Sequence, residues 1–249
     1  MTAERYLIVN ADDFGQSYDI NRGIIETHQR GIVTSASLMV RWPAAIEAAA
    51  YSRDHPDLSL GLHFDFAEWS YRHETWVPLY EVVAVDDATA VADEVSCQLA
   101  TFRGLVGQDP THIDSHQHVH REEPVSSILV ELARQLAVPL RHHSLTVSYC
   151  GNFYGQSGKG DPFPEAISVD GLIGTLAALA PGITELGCHP GDGDDIDSMY
   201  RNERAQEVKV LCNSRVRAAI VAQGIELCSF RSVLVRTTQP RELMPWHAS

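Results

Sequence analysis

No run of this chain approaches the roughly 20 apolar residues that span a bilayer. Its opening residues lack the basic region and apolar core of a secretory leader, so a membrane partner is not expected. Cysteines are few, and Cys97, Cys150, Cys188, Cys212 and Cys228 show no C-x-x-C spacing. That scatter points to reduced thiols and a cytoplasmic setting, not a disulfide framework. Basic residues are short as well: 19 against 33 acidic ones, for a formal net charge of −14. Such a balance argues against nucleic acid and suits a neutral or cationic small-molecule substrate. G-x-G-x-x-G and Walker loops are missing, which removes the support for a nucleotide-binding sheet.

With 44% hydrophobic residues over 249 positions, the chain has material for one large α/β core or two small ones. No internal repeat or linker divides it, so we expect a single domain over 1–236 and a polar tail over 237–249. Strand and helix patterns alternate about seven times. Strands are expected at 6–9, 32–40, 58–64, 111–119, 138–144, 183–188 and 225–230. Helices are expected at 19–30, 43–51, 87–106, 124–137, 169–179 and 200–223. Stretches 65–86 and 149–164 have no clean period and read as long loops. That alternation signals a parallel sheet with helices outside, either an open doubly wound sheet or a closed barrel. Asp12, Asp13, His63, His116 and His189 all fall at or near expected strand ends, where a barrel carries its chemistry.

Three stretches carry that chemistry. Asp12 and Asp13 are adjacent carboxylates at the end of the first strand, and neighbouring buried acids need a cation or a shared proton. The alternative is a solvated Asp-Gly turn. His112, Asp114, His116, His118 and His120 fall within ten residues and share one strand parity. A site of Asp13, His63 and His116 would leave coordination positions open, as a catalytic metal requires, with Asp114 available to orient a ligand. Mixed oxygen and nitrogen donors leave Zn, Mn, Co, Ni, Fe or Mg open. His189 precedes Pro190-Gly191, a turn that could present it as a general acid or simply as a loop histidine. Trp69, Tyr71, Trp76, Phe153 and Tyr154 suit stacking on sugar rings or plain packing.

Taken in order, Asn10–Gly15, Gly31–Ser37, Gly61–Phe64, Thr111–His120 and Cys188–Gly191 resemble the motifs of the YdjC-like carbohydrate deacetylases. The resemblance runs over roughly residues 6–232. It implies a distorted TIM-type (β/α) barrel, one divalent metal ion (magnesium or zinc, with manganese, cobalt and nickel also admitted), and hydrolysis of an N-acetyl group from an amino sugar. By motif, Asp13, His63 and His116 match the metal ligands, Asp12 the base, and His189 a histidine near the site. Arg141 and His118 are weaker substrate-side candidates beside Trp69 and Tyr154. Rival readings are another metal-dependent hydrolase, such as a phosphoesterase, and a non-catalytic sugar-binding relative. A homodimer stays open.

Overall fold

The computed structural model describes residues 4–192 and 195–238. Most of the tail expected over 237–249 lies outside the described residues. The first strand, β1 (Arg5–Phe14), is central in a curled parallel sheet, between β2 (Ser35–Leu38) and β8 (Gly182–Cys188). Outward from β2 come β3 (Ser59–Phe64) and β6 (Ile113–Ser115), and β7 (Val147–Cys150) lies beyond β8. The short strand β9 (Ile225–Leu227) pairs with Arg5–Leu7 at the start of β1, while β2 pairs with its second half. Every pairing in this sheet is parallel. Among the described residues the strand path from β6 to β7 does not close, so the sheet is a curled half-barrel and a full TIM barrel is not seen.

Helices cover the outer face, and their ends follow local chemistry. Ser17 caps α1 (Tyr18–Arg30) by accepting from the Ile20 amide. Asp87 caps α3 (Ala88–Val106), and Gly107, left-handed at φ +80°, closes it. Helices α2 (Ala45–Asp54), α4 (Val125–Leu136) and α5 (Val169–Ala177) match the expected segments closely. Leu7, Val9, Ile20, Ile24, Leu60, Leu62, Phe102 and Leu129 form part of the apolar core. No helix among the described residues is long and apolar enough to cross a membrane.

The structure departs from expectation at five places. The stretch 65–86 holds an antiparallel hairpin, β4 (Ala67–Arg72) and β5 (Thr75–Glu81). Its turn puts His73 and Glu74 at φ +52° and +63°; such turns are usually Asn-Gly or Asp-Gly, so the sequence signal is absent. The strand expected over 111–119 stops at Ser115. Gln117 and His118 take positive φ, and a 3-10 turn runs over His116–Arg121, so the shared parity of the histidines does not hold. The strand expected at 138–144 shrinks to one bridge between Leu140 and Ile113. The long helix at 200–223 splits at Cys212-Asn213 into α6 (Arg201–Leu211) and α7 (Ser214–Ala222), with Asn213 capping the second. After β9 the chain enters α8 (Phe230–Thr238), where no helix was expected.

Candidate active site

Consecutive side chains on a regular strand point to opposite faces. In β1 the register against β2 slips between Ala11 and Phe14, and Asp13 has φ +68°, a conformation that Asp tolerates better than most residues. This irregularity turns both Asp12 and Asp13 into one cleft of about 510 Å³ at the C-terminal ends of the strands.

Behind the cleft the inside of the curled sheet is polar. Arg141 donates to both oxygens of Asp12 at 2.6 and 2.7 Å, and to Glu185 at 2.6 and 2.8 Å. It also lies 2.7 Å from Asp114 Oδ2. Asn10 donates to Asp12 Oδ1 and to Ser37 Oγ, and Ser37 donates to Asp114. Burial works to raise the Asp12 carboxyl, and the Arg141 guanidinium overrides it, holding the acid below the usual range. Arg141 therefore sits behind Asp12 and does not line the cleft.

Asp13, His63 and His116 bring three ligand atoms within 4.8 Å of one another, and all three residues are buried or nearly so. Asp114 Oδ1 lies 2.7 Å from His63 Nδ1, which leaves Nε2 directed at Asp13 Oδ1, 3.4 Å away. The carboxylate–histidine pairing is the way metal-binding imidazoles are oriented. His116 Nδ1 is 3.1 Å from the same Asp13 oxygen, and its Nε2 is buried without a hydrogen-bond partner among the described residues. Arg204, from α6, donates to Asp13 Oδ2 at 2.6 Å and leaves Oδ1 to the histidines. Burial opposes charge on Asp13, yet Arg204 and the two imidazoles hold it well below the usual range. Burial also opposes charge on His63, but Asp114 and Asp13 push it up to about 10. One carboxylate and two imidazoles, oriented by Arg204 and Asp114 and converging on one point, fit a divalent cation, whose entry would displace the His63 proton.

His189 follows β8, with Nε2 3.8 Å from Asp12 Oδ2 and Nδ1 buried without a partner among the described residues. Its backbone N–H donates to Glu207 at 2.5 Å. Tyr154 and Tyr200 stack on each other at 4.3 Å, and each ring meets the imidazole edge-on at 5.4 Å. In that setting burial pushes His189 down to about 4, so the ring is neutral near pH 7.

Trp69, His118 and Tyr154 line the same cleft. The hairpin that carries Trp69 is docked by Gln117, whose side-chain amide pairs with the Trp69 backbone N–H and C=O at 2.9 and 2.8 Å. Phe153 is fully buried and Trp76 is half exposed at the rim.

A family model described as YdjC-like protein matches residues 6–222. The chain belongs to the YdjC-like family. It is 33% identical over 248 residues to a carbohydrate deacetylase of Geobacillus stearothermophilus, covering 91% of this chain and 97% of that one. To a chitooligosaccharide deacetylase of Klebsiella pneumoniae it is 34% identical over 260 residues, covering 92% and 100%. A crystal structure from Enterococcus faecalis, titled as a candidate cellobiose-phosphate cleavage protein, aligns with TM-score 0.73 and 26% identity over 93% of this chain and 99% of that one. A family 4 carbohydrate esterase from Streptomyces lividans aligns at TM-score 0.53 and 14% identity, over 92% and 93%, a likeness of fold alone.

In this YdjC-like chain, Asp12, Asp13, His63, His116, His118, His189, Trp69 and Tyr154 meet at one cleft, and Arg141 stands one layer behind it. Sequence reasoning missed Arg204, Glu185, Glu207 and Glu68, whose Oε2 lies 3.8 Å from His116 Nε2. Arg204 sits in a charged run, Tyr200-Arg201-Asn202-Glu203-Arg204, that looks like a solvated helix face, yet it is 2% exposed.

Proposed function

We propose that this chain hydrolyses the N-acetyl group of an amino sugar or chito-oligosaccharide and releases acetate, using one divalent ion held by Asp13, His63 and His116. The observation that carries this reading is the meeting of that ligand triad with Asp12 and His189 in one cleft, in a chain akin to deacetylases over nearly its whole length. When bound, the ion supplies Lewis-acid polarisation of the acetamide carbonyl and lowers the pKa of water. Asp12, ionised and fixed by Arg141, accepts the proton of the attacking water. An amine leaves only when protonated, and neutral His189, beside Asp12, takes on that proton and delivers it to the departing nitrogen. Tyr154 and Trp69 offer aromatic faces to the sugar.

A phosphoesterase would want free cationic groups in the cleft. Arg204 and Arg141 are instead committed to Asp13 and to Asp12, Asp114 and Glu185. Five scattered cysteines without C-x-x-C spacing support a reducing cytoplasm as its location.

Acetate release from N-acetylglucosamine, chitobiose and longer chito-oligosaccharides, after loading with magnesium, zinc, manganese, cobalt or nickel, tests the reading. The expected result is metal-dependent release that Asp12→Asn reduces by at least about a hundredfold. No release from any of these with metal bound would overturn the substrate assignment.

A further inference from the structure

Beside the Asp13 triad the fold gathers three more histidines. His118 and His120 lie on the 3-10 turn after β6, and His142 lies on the loop after Arg141. Their ring centroids form a near-equilateral triangle with sides of 5.3, 5.4 and 5.6 Å. Three imidazoles bound to one tetrahedral ion through N–metal bonds of about 2.0–2.1 Å have centroids about 5 Å apart. One ring nitrogen from each falls within 4.8 Å of the others.

Two ring nitrogens of this trio have no other employment. His118 Nδ1 and His120 Nε2 are buried and lack a hydrogen-bond partner among the described residues. Burying such atoms unpaired costs free energy, so a ligand for them is the natural complement. The opposite nitrogen of His120 is anchored: Nδ1 lies 2.7 Å from Ser115 Oγ, which also accepts the His120 backbone N–H at 2.9 Å. That arrangement fixes the ring and leaves the buried Nε2 unpaired, as partners of metal-bound histidines do. His118 and His142 both hold left-handed backbone, at φ +55° and +65°, and strain of this kind gathers where side chains are aimed for function. The nearby Arg141 charge is balanced by Asp12, Asp114 and Glu185 and does not repel a cation as a free guanidinium would.

We propose that His118, His120 and His142 form a second metal site, separate from Asp13–His63–His116, that takes a zinc-class transition-metal ion. Three neutral nitrogens without a carboxylate select zinc, nickel or copper over magnesium or calcium, which require oxygen donors. The two sites therefore differ in chemistry: the first mixes oxygen with nitrogen, and the second is all imidazole. His118 also lines the cleft, so an ion there fixes one wall of the substrate pocket.

Equilibrium dialysis of the full chain against zinc, with metal read by mass spectrometry, tests the proposal without reference to turnover. The wild type is expected to hold about two equivalents, and His142→Ala about one. Because His142 is exposed, its replacement should leave the fold intact, which far-UV circular dichroism would check. Asp13→Asn should retain the second ion, and excess magnesium should not displace it. In cobalt-loaded Asp13→Asn, visible d–d bands of a tetrahedral nitrogen site are expected, and His120→Gln added to that variant should abolish them. Wild-type stoichiometry in both His142→Ala and His120→Gln would overturn the proposal. So would a single equivalent that Asp13→Asn removes. A single equivalent that His142→Ala removes and Asp13→Asn keeps would support this site while counting against the first.

Discussion

Arg141 grips both carboxylate oxygens of Asp12, at 2.6 and 2.7 Å, from inside the curled sheet. The same guanidinium reaches Asp114 and Glu185, so one cation is shared by three buried acids contributed by β1, β6 and β8. The grip ties the proposed base to the interior of the fold and, through Asp114, to the orientation of His63.

Arg141→Met would remove the cation those acids share and leave only His63 beside Asp114, a loss on the order of 3–5 kcal/mol. Urea denaturation should show the midpoint fall sharply. Arg141→Lys keeps the charge but not the fork, so it should recover part of the stability while turnover stays low. Equal stability of Arg141→Met and wild type would refute this account of the interior.

The loop that presents His189 is set by helix α1. A Cβ on Gly23 would come within 2.4 Å of the Gly191 Cα, against backbone that no flexible side chain can relieve. Gly23→Ala should push the Cys188-His189-Pro190-Gly191 turn outward and lower kcat by about tenfold or more, since misplacement of a catalytic group by about 1 Å can cost as much as a hundredfold. An unchanged kcat would show that the turn is positioned by other contacts.

His112 is wedged between Gly61 and the ring of Phe230, on which it stacks at 3.8 Å. A Cβ at Gly61 would approach its Nε2 to 2.4 Å. Overpacking of this kind should make Gly61→Ala less stable by about 1–3 kcal/mol. The penalty should shrink in a His112→Ala background, and a double-mutant cycle measures that coupling. Additive effects would contradict the wedge.

His112 also makes stability depend on pH. Burial pushes its imidazole down to about 3, below the value of about 6.5 in an unfolded chain. The folded state therefore binds the proton less readily than the unfolded state. This contribution is complete above about pH 6.5 and is lost as the pH falls toward 3. Unfolding free energies measured across that window should decline more steeply for wild type than for His112→Gln, and parallel curves would contradict the assignment.

The alternation of β-branched runs with amphipathic segments was enough to fix the parallel sheet and most helices. Ser17, Asp87 and Gly107 mark helix ends by chemistry confined to a few residues. The placing of Asp12, Asp13, His63 and His189 at strand ends was legible for the same reason: polar residues that terminate apolar runs stand out. The hairpin 67–81 was not, because His73 and Glu74 adopt a turn that their residue types do not announce. Nor was the break after Ser115, where Gln117 and His118 take left-handed backbone inside a stretch with strand-like alternation.

From the sequence alone, then, follow the class of fold, the position of most of its helices and the residue types gathered at the candidate site, all of them local properties of composition and spacing. Tertiary structure decided the rest. It opened the sheet between β6 and β7, bulged β1 so that two adjacent acids face one cleft, and brought Arg204 from a charged helix onto Asp13 across 191 positions of chain. It also gathered His118, His120 and His142 into a triangle. These are long-range relations. They depend on how a sheet curls and on where buried charge finds its partner, and no window of neighbouring residues contains either.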